Sequence, residues 1–485
     1  MAYKYGARNQ VTMFPKSLDE LVKPNDPVRA YDAFVDSLDI RHLGISIDKY
    51  KVGNSEYDPH VMIKLILYGC SYGWRSSRKL ERALHHNISF IWLTGGLKPD
   101  HATISRFRQN NKKALTNIFK KCVRICLDLD LIDGNTLFVD GTKIRANAAR
   151  GKNYTEKKYK KMLGEIENRI EEIFHECDEI DRQESEQGSF VKMKKELADN
   201  QQLRDKIKNI LEEFEEQGAK TKNGKERTKN LTDCDSALMR SIQGSHASYN
   251  IQTVGDNKHS LLANIDVVSD TSDVNQFAEQ IEKAEKMLEK QCDTAVGDAG
   301  YADTEELEKI DKRGTKVIVP SQRQAAHNEE EKEFSKSHFQ YDEDKNCYYC
   351  PVGHILSYRG KEYNGKKLIY QIMNADNCKQ CQNYGVCTKA KKGRKIKRLS
   401  NEKAKEKFEQ LYEQEENQEI YKRRKACIEH PFGHIKQNLG IRNFLLRGID
   451  GIRAESAIAG TCFNVVRMLT IFGGVQEFMV KLQTL

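Results

Sequence analysis

Three acidic residues stand out by their neighbours. Asp140 and Asp298 each end a short, β-branched apolar run and have glycine beside them, whereas Glu429 lies in a densely basic stretch, residues 421–436. A carboxylate at the end of a buried strand is unfavourable unless something neutralises it. Mg²⁺ takes a few carboxylates with water and phosphate completing its shell, and clustered cations attract phosphodiester oxygens. The three residues together therefore favour a metal site that handles phosphate, although for either aspartate alone a turn or a salt bridge is the simpler explanation.

Two tyrosines suggest a different chemistry. Tyr301 or Tyr421 would be the nucleophile if the chain were a tyrosine recombinase, which attacks DNA covalently. That chemistry usually needs a pocket rich in arginine and histidine, and the sequence does not assemble one. The metal-dependent interpretation is therefore favoured.

The cysteines divide into two groups. Eight of the 13 are scattered singly, as small buried residues in a reducing cytosol would be. The other five crowd into one segment: Cys347, Cys350, Cys378, Cys381 and Cys387. Two Cys-x2-Cys pairs suit tetrahedral zinc coordination, and His354 is a further candidate ligand. Zinc is the preferred interpretation, with an iron–sulfur cluster or unliganded thiols as alternatives.

A basic tract follows the cysteines directly. Seven of the ten residues 389–398 are basic: Lys389, Lys391, Lys392, Arg394, Lys395, Lys397 and Arg398. A solvated loop is the default interpretation of such a run. If the chain handles DNA, contact with phosphates is favoured beside a zinc module, and it would make binding depend strongly on salt without giving sequence specificity.

The elements that must position these residues follow from periodicity and turn residues. Residues 1–125 predict short helices with tight turns, including one that begins near Thr103 and carries Arg106 and Arg108. A helix-turn-helix-like module and an ordinary helical bundle are equally compatible with this stretch. Residues 136–142 predict a strand that ends near Asp140, with residues 143–147 as a possible hairpin partner.

A heptad pattern occupies the next segment. Its apolar positions are spaced 3, 4, 3, 4, 3, at Leu163, Ile166, Ile170, Ile173, Cys177 and Ile180. A polar break at 183–189 precedes a return helix with Leu203, Ile207, Ile210 and Phe214. This pattern predicts an antiparallel helical hairpin.

Strands and helices alternate after the hairpin. We expect strands at 248–254, 259–268, 294–298 and 316–320 and helices at 274–288 and 303–312. Together with the first strand they predict a mixed α/β sheet. The cysteine segment interrupts it, and residues 421–470 are expected to be mostly helical.

Length and charge set the outer limits. At roughly 150 residues per domain, 485 residues predict about three domains. Lys and Arg total 80 and Asp and Glu 71, so the net charge of +9 permits a nucleic-acid partner without demonstrating one. No apolar run approaches the ~18 residues of a membrane helix, and the first residues lack the apolar core of a secretory signal. A cytoplasmic protein without a membrane partner is expected.

The chain resembles the DDE transposases of bacterial insertion sequences. The resemblance rests on the motifs around Asp140, Asp298 and Glu429 and on residues 99–108, and it runs from roughly residue 10 to 470. It implies a ribonuclease-H-like mixed sheet with helices, an N-terminal all-helical domain, an inserted helical hairpin and a small cysteine-rich zinc-binding insertion. The implied domains have these bounds: 1–125, helical and DNA-binding; 130–320 and 400–475, catalytic; 155–220, coiled-coil hairpin; 321–400, cysteine-rich and basic.

Residue roles follow from the same resemblance. Asp140, Asp298 and Glu429 carry over as the catalytic triad that binds Mg²⁺ or Mn²⁺ for in-line displacement at phosphorus. The residues expected to contact DNA are Arg106, Arg108, Lys143, Tyr421, Arg424 and Lys436. The usual spacing places the glutamate four positions after the arginine, whereas Glu429 is five after Arg424. Arg423 is therefore a competing candidate, and Pro431 predicts a kink or helix start beside the glutamate.

The resemblance also narrows the zinc ligands and the partners. The recurring Cys-Pro-x-Gly and Cys-x2-Cys-x5-Cys pattern favours Cys350, Cys378, Cys381 and Cys387, which leaves Cys347 spare. Terminal inverted repeats and target DNA are the implied partners, and pairing of two ends suggests at least a homodimer on DNA. A metal-dependent nuclease without strand transfer and a catalytically silent DNA-binding descendant are the alternatives, although all three motif carboxylates are present.

Overall fold

A computed structural model describes residues 16–45, 56–183, 187–220, 224–241, 244–326, 333–362 and 365–484. These residues divide into two compact units. The first contains the chain up to Asp273, residues 280–291 and residues 425–485, and the second contains residues 274–279 and 292–424. Both units combine helices with strands, so the predicted α/β class is confirmed.

The described part of the N-terminal region is helical, as predicted. Its helices are α1 (Leu18–Leu21), α2 (Pro27–Asp36), α3 (Ile40–Leu43), α4 (Pro59–Ser71), α5 (Ser77–His86), α6 (Ile88–Leu93), α7 (His101–Asn110) and α8 (Lys112–Asp128). Their starts follow from aspartate caps. Asp26 and Asp58 precede proline at the first turn of α2 and α4, and the Asp100 carboxylate accepts the Thr103 N–H at the start of α7.

An antiparallel sheet forms the centre of the first unit. The strands here are β1 (Thr136–Arg145), β2 (Asn153–Thr155), β3 (Thr228–Asn230), β4 (Ala237–Ser241), β5 (Gly244–Asp256) and β6 (Leu262–Val268). The long strand β5 pairs with β1, β4 and β6, while β2 and β3 pair separately. The antiparallel strands predicted from the sequence are therefore confirmed.

The predicted hairpin within residues 136–147 is wrong. β1 continues through Gly141 to Arg145 and pairs along its whole length with β5, from Leu137 opposite Asp256 to Arg145 opposite Ser248. Residues 140–143 lack a two-residue turn sequence such as Asn-Gly, and the alternation continues to the buried Ile144. Residues 136–145 therefore form one long strand and not a hairpin.

The predicted helical hairpin is confirmed where the structure describes it. It consists of α9 (Glu156–Gln183) and α10 (Gln187–Gln217). Tyr159 contacts Phe214, and Arg169 bonds Glu196 further along, so the two helices run antiparallel. The apolar seam is buried at Ile166, Ile170, Ile173, Ile207, Ile210 and Phe214. The side chains of Cys177 and Ile180 lie outside the described residues.

The alternating part of the chain follows the prediction closely. Its elements are α11 (Phe277–Leu288), β7 (Thr294–Val296), α12 (Thr304–Asp311), β8 (Lys316–Ile318) and α13 (Gln322–Ala325). β7 and β8 are parallel, with Thr294 opposite Lys316. They form part of the second unit.

The cysteine-rich segment folds as a five-stranded antiparallel sheet that the sequence did not predict. Its elements are β9 (Gln340–Asp342), β10 (Cys347–Tyr349), β11 (Ile355–Lys361), β12 (Lys367–Ile372), α14 (Asp376–Lys379) and β13 (Lys395–Leu399). The strand order is β13-β12-β11-β10-β9. Tyr348, Leu356, Tyr370 and Ile396 form its buried centre.

The C-terminal part of the chain is helical. Its helices are α15 (Glu402–Glu413), α16 (Glu415–Lys422), α17 (His430–Gly433), α18 (Ile449–Ile471) and α19 (Val475–Gln483). Two π-helical turns, Lys425–Glu429 and His434–Asn438, flank α17. The largely buried α18 packs against α4, α8 and β6. Within the described ranges no single helix is long and apolar enough to span a membrane, and α18 and α19 meet that test only as a pair bent by 104°.

Candidate active site

Asp140 lies in the middle of β1, opposite Thr253 of β5. Because side chains alternate along a strand, Asp140 shares one face of the sheet with Phe138 and Thr142, and Gly141 faces the other side. The half-buried Asp140 carboxylate accepts the Gly141 N–H at 2.7 Å. The Thr253 hydroxyl donates to the Asp140 main-chain carbonyl at 3.4 Å. The carboxylate is thereby held against its own backbone.

The π-helical turn Lys425–Glu429 brings Glu429 to the same sheet. This turn packs against β1 and β5. Cys427 and Ile428 are buried there, while the Glu429 side chain is exposed. Gly255 of β5 permits this approach, since a β-carbon at that position would lie 2.5 Å from the Cys427 carbonyl oxygen. Asp140 and Glu429 are therefore carried by two elements in direct contact.

We expect Gly255→Ala to lower the free energy of unfolding by about 1–3 kcal/mol, the usual range for overpacking. The added methyl group must push away the turn that carries Glu429. Chemical denaturation measures the change. Gly164→Ala in α9 is the matched control, because nothing lies within 4 Å of its β-carbon, and a helical Gly→Ala exchange stabilises by roughly 0.5–1 kcal/mol. Equal stability of Gly255→Ala and wild type would show that the turn does not press on β5.

The π-turn also bears on the unusual spacing of the glutamate. In a π-turn the N–H bonds to the carbonyl five residues earlier, so the turn contains one residue more than an α-turn, and such turns are frequent at functional sites. The extra position between Arg424 and Glu429 coincides with this turn. α17 then begins at His430, with Pro431 in its first turn, where a kink or helix start was predicted.

Lys436 of the second π-turn lies near Asp140. Its ammonium group donates a hydrogen bond to the Thr142 hydroxyl, two residues after Asp140. Burial lowers the pKa of Lys436, and the nearby negative charge of Asp140 partly opposes that shift. The first unit therefore places a carboxylate and a half-buried cation side by side.

The lowered pKa of Lys436 predicts a pH dependence of stability. Between this pKa and the ordinary value near 10.4, the unfolded chain binds more protons at Lys436 than the folded chain. The free energy of unfolding should therefore rise with pH through this window, and Lys436→Met should remove the rise. Urea unfolding from about pH 8 to 10.5 tests this.

Lys422→Met is the control for that measurement. Lys422 pairs with Glu419, which raises the pKa of Lys422, so its contribution to the pH dependence has the opposite sign. An unchanged pH dependence in Lys436→Met would contradict the assignment.

Asp298 belongs to the second unit. It follows β7 and caps a short 3₁₀ turn (Ala299–Tyr301), its carboxylate accepting the Gly300 N–H at 2.8 Å. Tyr421 lies near it: burial raises the pKa of Tyr421, and the charge of Asp298 adds to that rise. The Arg424 guanidinium lies 5.7 Å from the centre of the Tyr421 ring. The second unit thus brings together Asp298, Tyr421 and Arg424, whereas Arg423 is exposed.

The remaining predicted DNA contacts have different environments. Arg106 and Lys143 are exposed, but Lys143 lies on the sheet face opposite Asp140 because it is three residues further along β1. Arg108 points inward, and its guanidinium donates to the Arg75 carbonyl at 2.5 Å. The burial that lowers the pKa of Arg108 does not favour a contact with DNA.

Sequence reasoning missed a buried ionic group beside the C-terminal segment. Glu455 of α18 accepts the N–H groups of Leu445 and Leu446 and pairs with Arg75 at 3.2 Å. Burial raises the pKa of Glu455. Arg75 also donates to the carbonyls of Gly440 and Asn443. The one feature of the sequence that could have indicated this buried ion pair is a glutamate within the apolar stretch 454–465.

Four cysteines surround one small cavity in the second unit. Cys350, Cys378, Cys381 and Cys387 line a space of about 30 Å³ together with His354. The His354 N–H donates to the Cys350 sulfur at 3.2 Å and the Arg394 N–H to the Cys378 sulfur at 3.4 Å. Burial raises the pKa of the Cys387 thiol, and the other three cysteines raise it further. Cys347 is buried on β10 and does not line the cavity.

The side chains are not arranged as ligands of a bound ion. Across the described ranges, no group of three or more His, Cys, Asp or Glu residues has a geometry ready to hold a metal. The four sulfur atoms are nevertheless near enough to affect the pKa of one thiol.

The basic tract divides into two kinds of residue. All five lysines are exposed: Lys389, Lys391, Lys392, Lys395 and Lys397, of which Lys397 pairs with Glu362. Arg394 instead donates to the carbonyls of Cys387 and Phe334, and Arg398 packs 3.9 Å from the centre of the Tyr341 ring. These two arginines stabilise the cysteine-rich sheet, so the phosphate contact expected for the whole tract is supported only for the exposed lysines.

Comparisons with known proteins identify the class. Residues 16–110 match a family described as "Transposase domain (DUF772)", and residues 349–469 match one described as "Transposase DDE domain". No curated protein matches. A cryo-EM structure of a piggyBac transposase synaptic complex with hairpin DNA is similar over 94% of this chain and 79% of that chain, with 10% identity and a TM-score of 0.33.

The two family matches define an enzyme of the polynucleotidyl transferase type that acts on DNA. The second match contains Glu429, Lys436 and the four cysteines around the cavity. The chain therefore carries regions that match two transposase families, and these matches support the DDE transposase resemblance that its motifs predicted.

Proposed function

We propose that this chain is the transposase of an insertion sequence and that it cuts and joins the terminal inverted repeats of its own element. Asp140, Asp298 and Glu429 are the catalytic carboxylates, carried by a ribonuclease-H-like domain. The observation that carries the proposal is the packing of the Glu429 turn against the strand of Asp140, with Lys436 beside that carboxylate.

The three carboxylates suit Mg²⁺ or Mn²⁺, since hard divalent cations prefer oxygen ligands. When bound, such ions stabilise the charge that develops at phosphorus and lower the pKa of an attacking water. A hydrogen bond from the Gly141 N–H holds the Asp140 carboxylate in one orientation, and a hydrogen bond from the Gly300 N–H does the same for Asp298.

The cations of the site have a separate task. Lys436, which loses water on burial, attracts a phosphodiester oxygen more strongly than a solvated lysine does. Tyr421 and Arg424 form a stacked pair near Asp298, and such a pair suits the end of a DNA strand. Arg106 and the exposed lysines 389, 391 and 392 add contacts with phosphates. Such contacts do not make DNA binding sequence-specific.

The reaction has two displacements at phosphorus. In the first, a water oxygen bonds to phosphorus and the bond to the 3′ oxygen breaks, which leaves a free 3′-hydroxyl. In the second, that hydroxyl attacks a target phosphodiester and displaces another 3′ oxygen. Two ends must be held for joining, so we propose at least a homodimer on DNA.

Zinc is the proposed structural metal, held by Cys350, Cys378, Cys381 and Cys387. These four residues line one cavity, and the sulfur atoms of Cys350 and Cys378 already accept main-chain N–H groups. The reducing cytoplasm, the proposed location, would keep these thiols available.

The test uses the purified full-length chain with labelled DNA that carries the element ends, in Mg²⁺ and in chelator. Cleaved and strand-joined products with Mg²⁺, absent for Asp298→Asn, are expected. Cleavage without joined products would favour a nuclease. Binding without cleavage in either Mg²⁺ or Mn²⁺ would favour a DNA-binding descendant and contradict the proposal.

A further inference from the structure

A fourth carboxylate lies directly behind Asp140. The loop that follows β6 crosses the reverse face of the sheet and places Asp273 over Gly141. One oxygen of the Asp273 carboxylate accepts hydrogen bonds from the Asn250 amide at 2.8 Å and the Gln252 amide at 2.7 Å. Both amide side chains are buried.

The pairing of β1 with β5 explains why these groups meet at Gly141. Gln252 is directly opposite Gly141, and Asn250 is opposite Lys143. These side chains share the face on which Gly141 has only a hydrogen. A β-carbon at position 141 would collide with the Asp273 carboxylate and would lie 2.5 Å from the Gln252 amide nitrogen. The space beside Gly141 is therefore filled by the Asp273 carboxylate.

The cluster also fixes the orientation of Asn250 at a cost. Because a carboxylate only accepts hydrogen bonds, the amide nitrogen of Asn250 must face Asp273. The amide oxygen is then buried and has no hydrogen-bond partner among the described residues. An orphaned buried acceptor costs free energy, because it loses its hydrogen bond to water and gains none in the folded protein. A cluster retained despite that cost calls for an explanation.

The connection to the site runs through one peptide group. The N–H of Gly141 donates to the Asp140 carboxylate on the other face. Any shift of the Gly141 backbone therefore moves the donor that holds that carboxylate. Asp273 is also the last residue of the first unit before the chain enters the second.

We propose that Asp273 is a positioning residue for Asp140: with Asn250 and Gln252 it clamps the Gly141 backbone from behind the sheet. This role rests on the proposed function of Asp140. Residues that orient metal-binding side chains typically change metal affinity or activity by 10–100-fold when lost.

The test compares Asp273→Asn with Asp273→Leu. Both remove the charge, but only asparagine retains an oxygen that accepts the two amide hydrogens. For Asp273→Leu we expect single-turnover end cleavage about 10–100-fold slower, with unchanged DNA affinity and a higher Mg²⁺ requirement. For Asp273→Asn the loss should be below about threefold, since the acceptor remains. Thr271→Leu, at an exposed position of the same loop, is the control for the added apolar side chain.

A second readout is independent of metal and activity. In the metal-free protein, hydrogen exchange of the Gly141 amide should be faster in Asp273→Leu than in wild type and near wild type in Asp273→Asn. Gly141→Ala should also speed hydrogen exchange at position 141, because its methyl group displaces the Asp273 carboxylate. If Asp273→Leu does not fold, Gly141→Ala is used in its place. The losses of Gly141→Ala and Asp273→Leu should not add in the double variant.

The other outcomes overturn the clamp. Equal loss in Asp273→Asn and Asp273→Leu would mean that the charge itself acts. Unchanged exchange at Gly141 in both Asp273→Leu and Gly141→Ala would mean that Asp273 does not hold the strand. The proposed function fails separately, if wild type does not cleave with Mg²⁺ or if Asp140→Asn does.

Discussion

Asp140→Asn, Asp298→Asn and Glu429→Gln should each slow end cleavage by about 10³-fold or more. Each change preserves shape and removes one negative oxygen from the proposed metal site. Bound metal ions contribute several kcal/mol to stabilising the charge at phosphorus, and every 1.36 kcal/mol corresponds to a tenfold change in rate. Loss of one ligand that weakens this stabilisation by about 4 kcal/mol gives the expected factor.

DNA binding should behave differently from cleavage in these variants. Removing a carboxylate removes repulsion with phosphate, so the affinity for end DNA at fixed salt should be equal or higher. Single-turnover cleavage with saturating enzyme, together with binding measured in parallel, separates the two effects. Glu419→Gln is the matched control, since Glu419 is an exposed glutamate paired with Lys422 in α16.

The proposed catalytic role of each carboxylate can be disproved separately. Normal cleavage by Glu429→Gln would mean that Glu429 faces only solvent and binds no metal. Another carboxylate would then complete the metal site. Normal cleavage by Asp298→Asn would mean that Asp298 serves only to cap its 3₁₀ turn.

The sequence predicted those parts of the fold that have strong periodicity. The heptad seam from Leu163 to Ile173 identified the helical hairpin, and alternation identified β5 and β6. The hairpin predicted within residues 136–147 failed because strand-end motifs were assumed to end strands. Asp140 lies inside β1, where pairing with β5 continues to Arg145.

The cysteine-rich sheet was missed for a different reason. Its strands are short, and β13 is largely basic, so its alternation was taken for a charge run. Arg398 is buried there against Tyr341 and Tyr348, and the apolar part of its side chain serves as core.

The candidate site was predictable only in part. Motif order predicts Asp140, Asp298 and Glu429 as site residues, a prediction that the proposed variants test. Nothing local could reveal Asp273, because its contact with Gly141 depends on where a loop crosses the sheet.

Removing a single cysteine of the four around the cavity should abolish zinc binding and unfold the cysteine-rich sheet. We expect about one zinc ion per wild-type chain by elemental analysis and none for Cys378→Ser. Structural zinc contributes roughly 10–16 kcal/mol of apparent binding free energy in small domains, which is as large as the whole stability of a typical domain. A sheet built around Tyr348 and Tyr370 with strands of three to seven residues has little other support.

Cys347→Ser provides the matched control. Cys347 belongs to the same segment and is buried, yet it does not line the cavity. This variant should retain zinc and lose only the modest stability of one buried thiol. If Cys347→Ser loses zinc and Cys387→Ser keeps it, the ligand set consists of the two Cys-x2-Cys pairs instead.

The pH dependence of zinc binding follows from the same cluster. Burial and three neighbouring cysteines raise the pKa of Cys387, so its proton must be released when the metal binds. Zinc affinity should therefore rise steeply with pH until the raised pKa is passed. Competition with a chromophoric chelator measures the zinc affinity at each pH. The Arg394 charge lowers the pKa of Cys387, so Arg394→Met should raise that pKa and shift the rise in zinc affinity to higher pH. Affinity that is independent of pH would show that the thiols are already ionised and would contradict this account of the site.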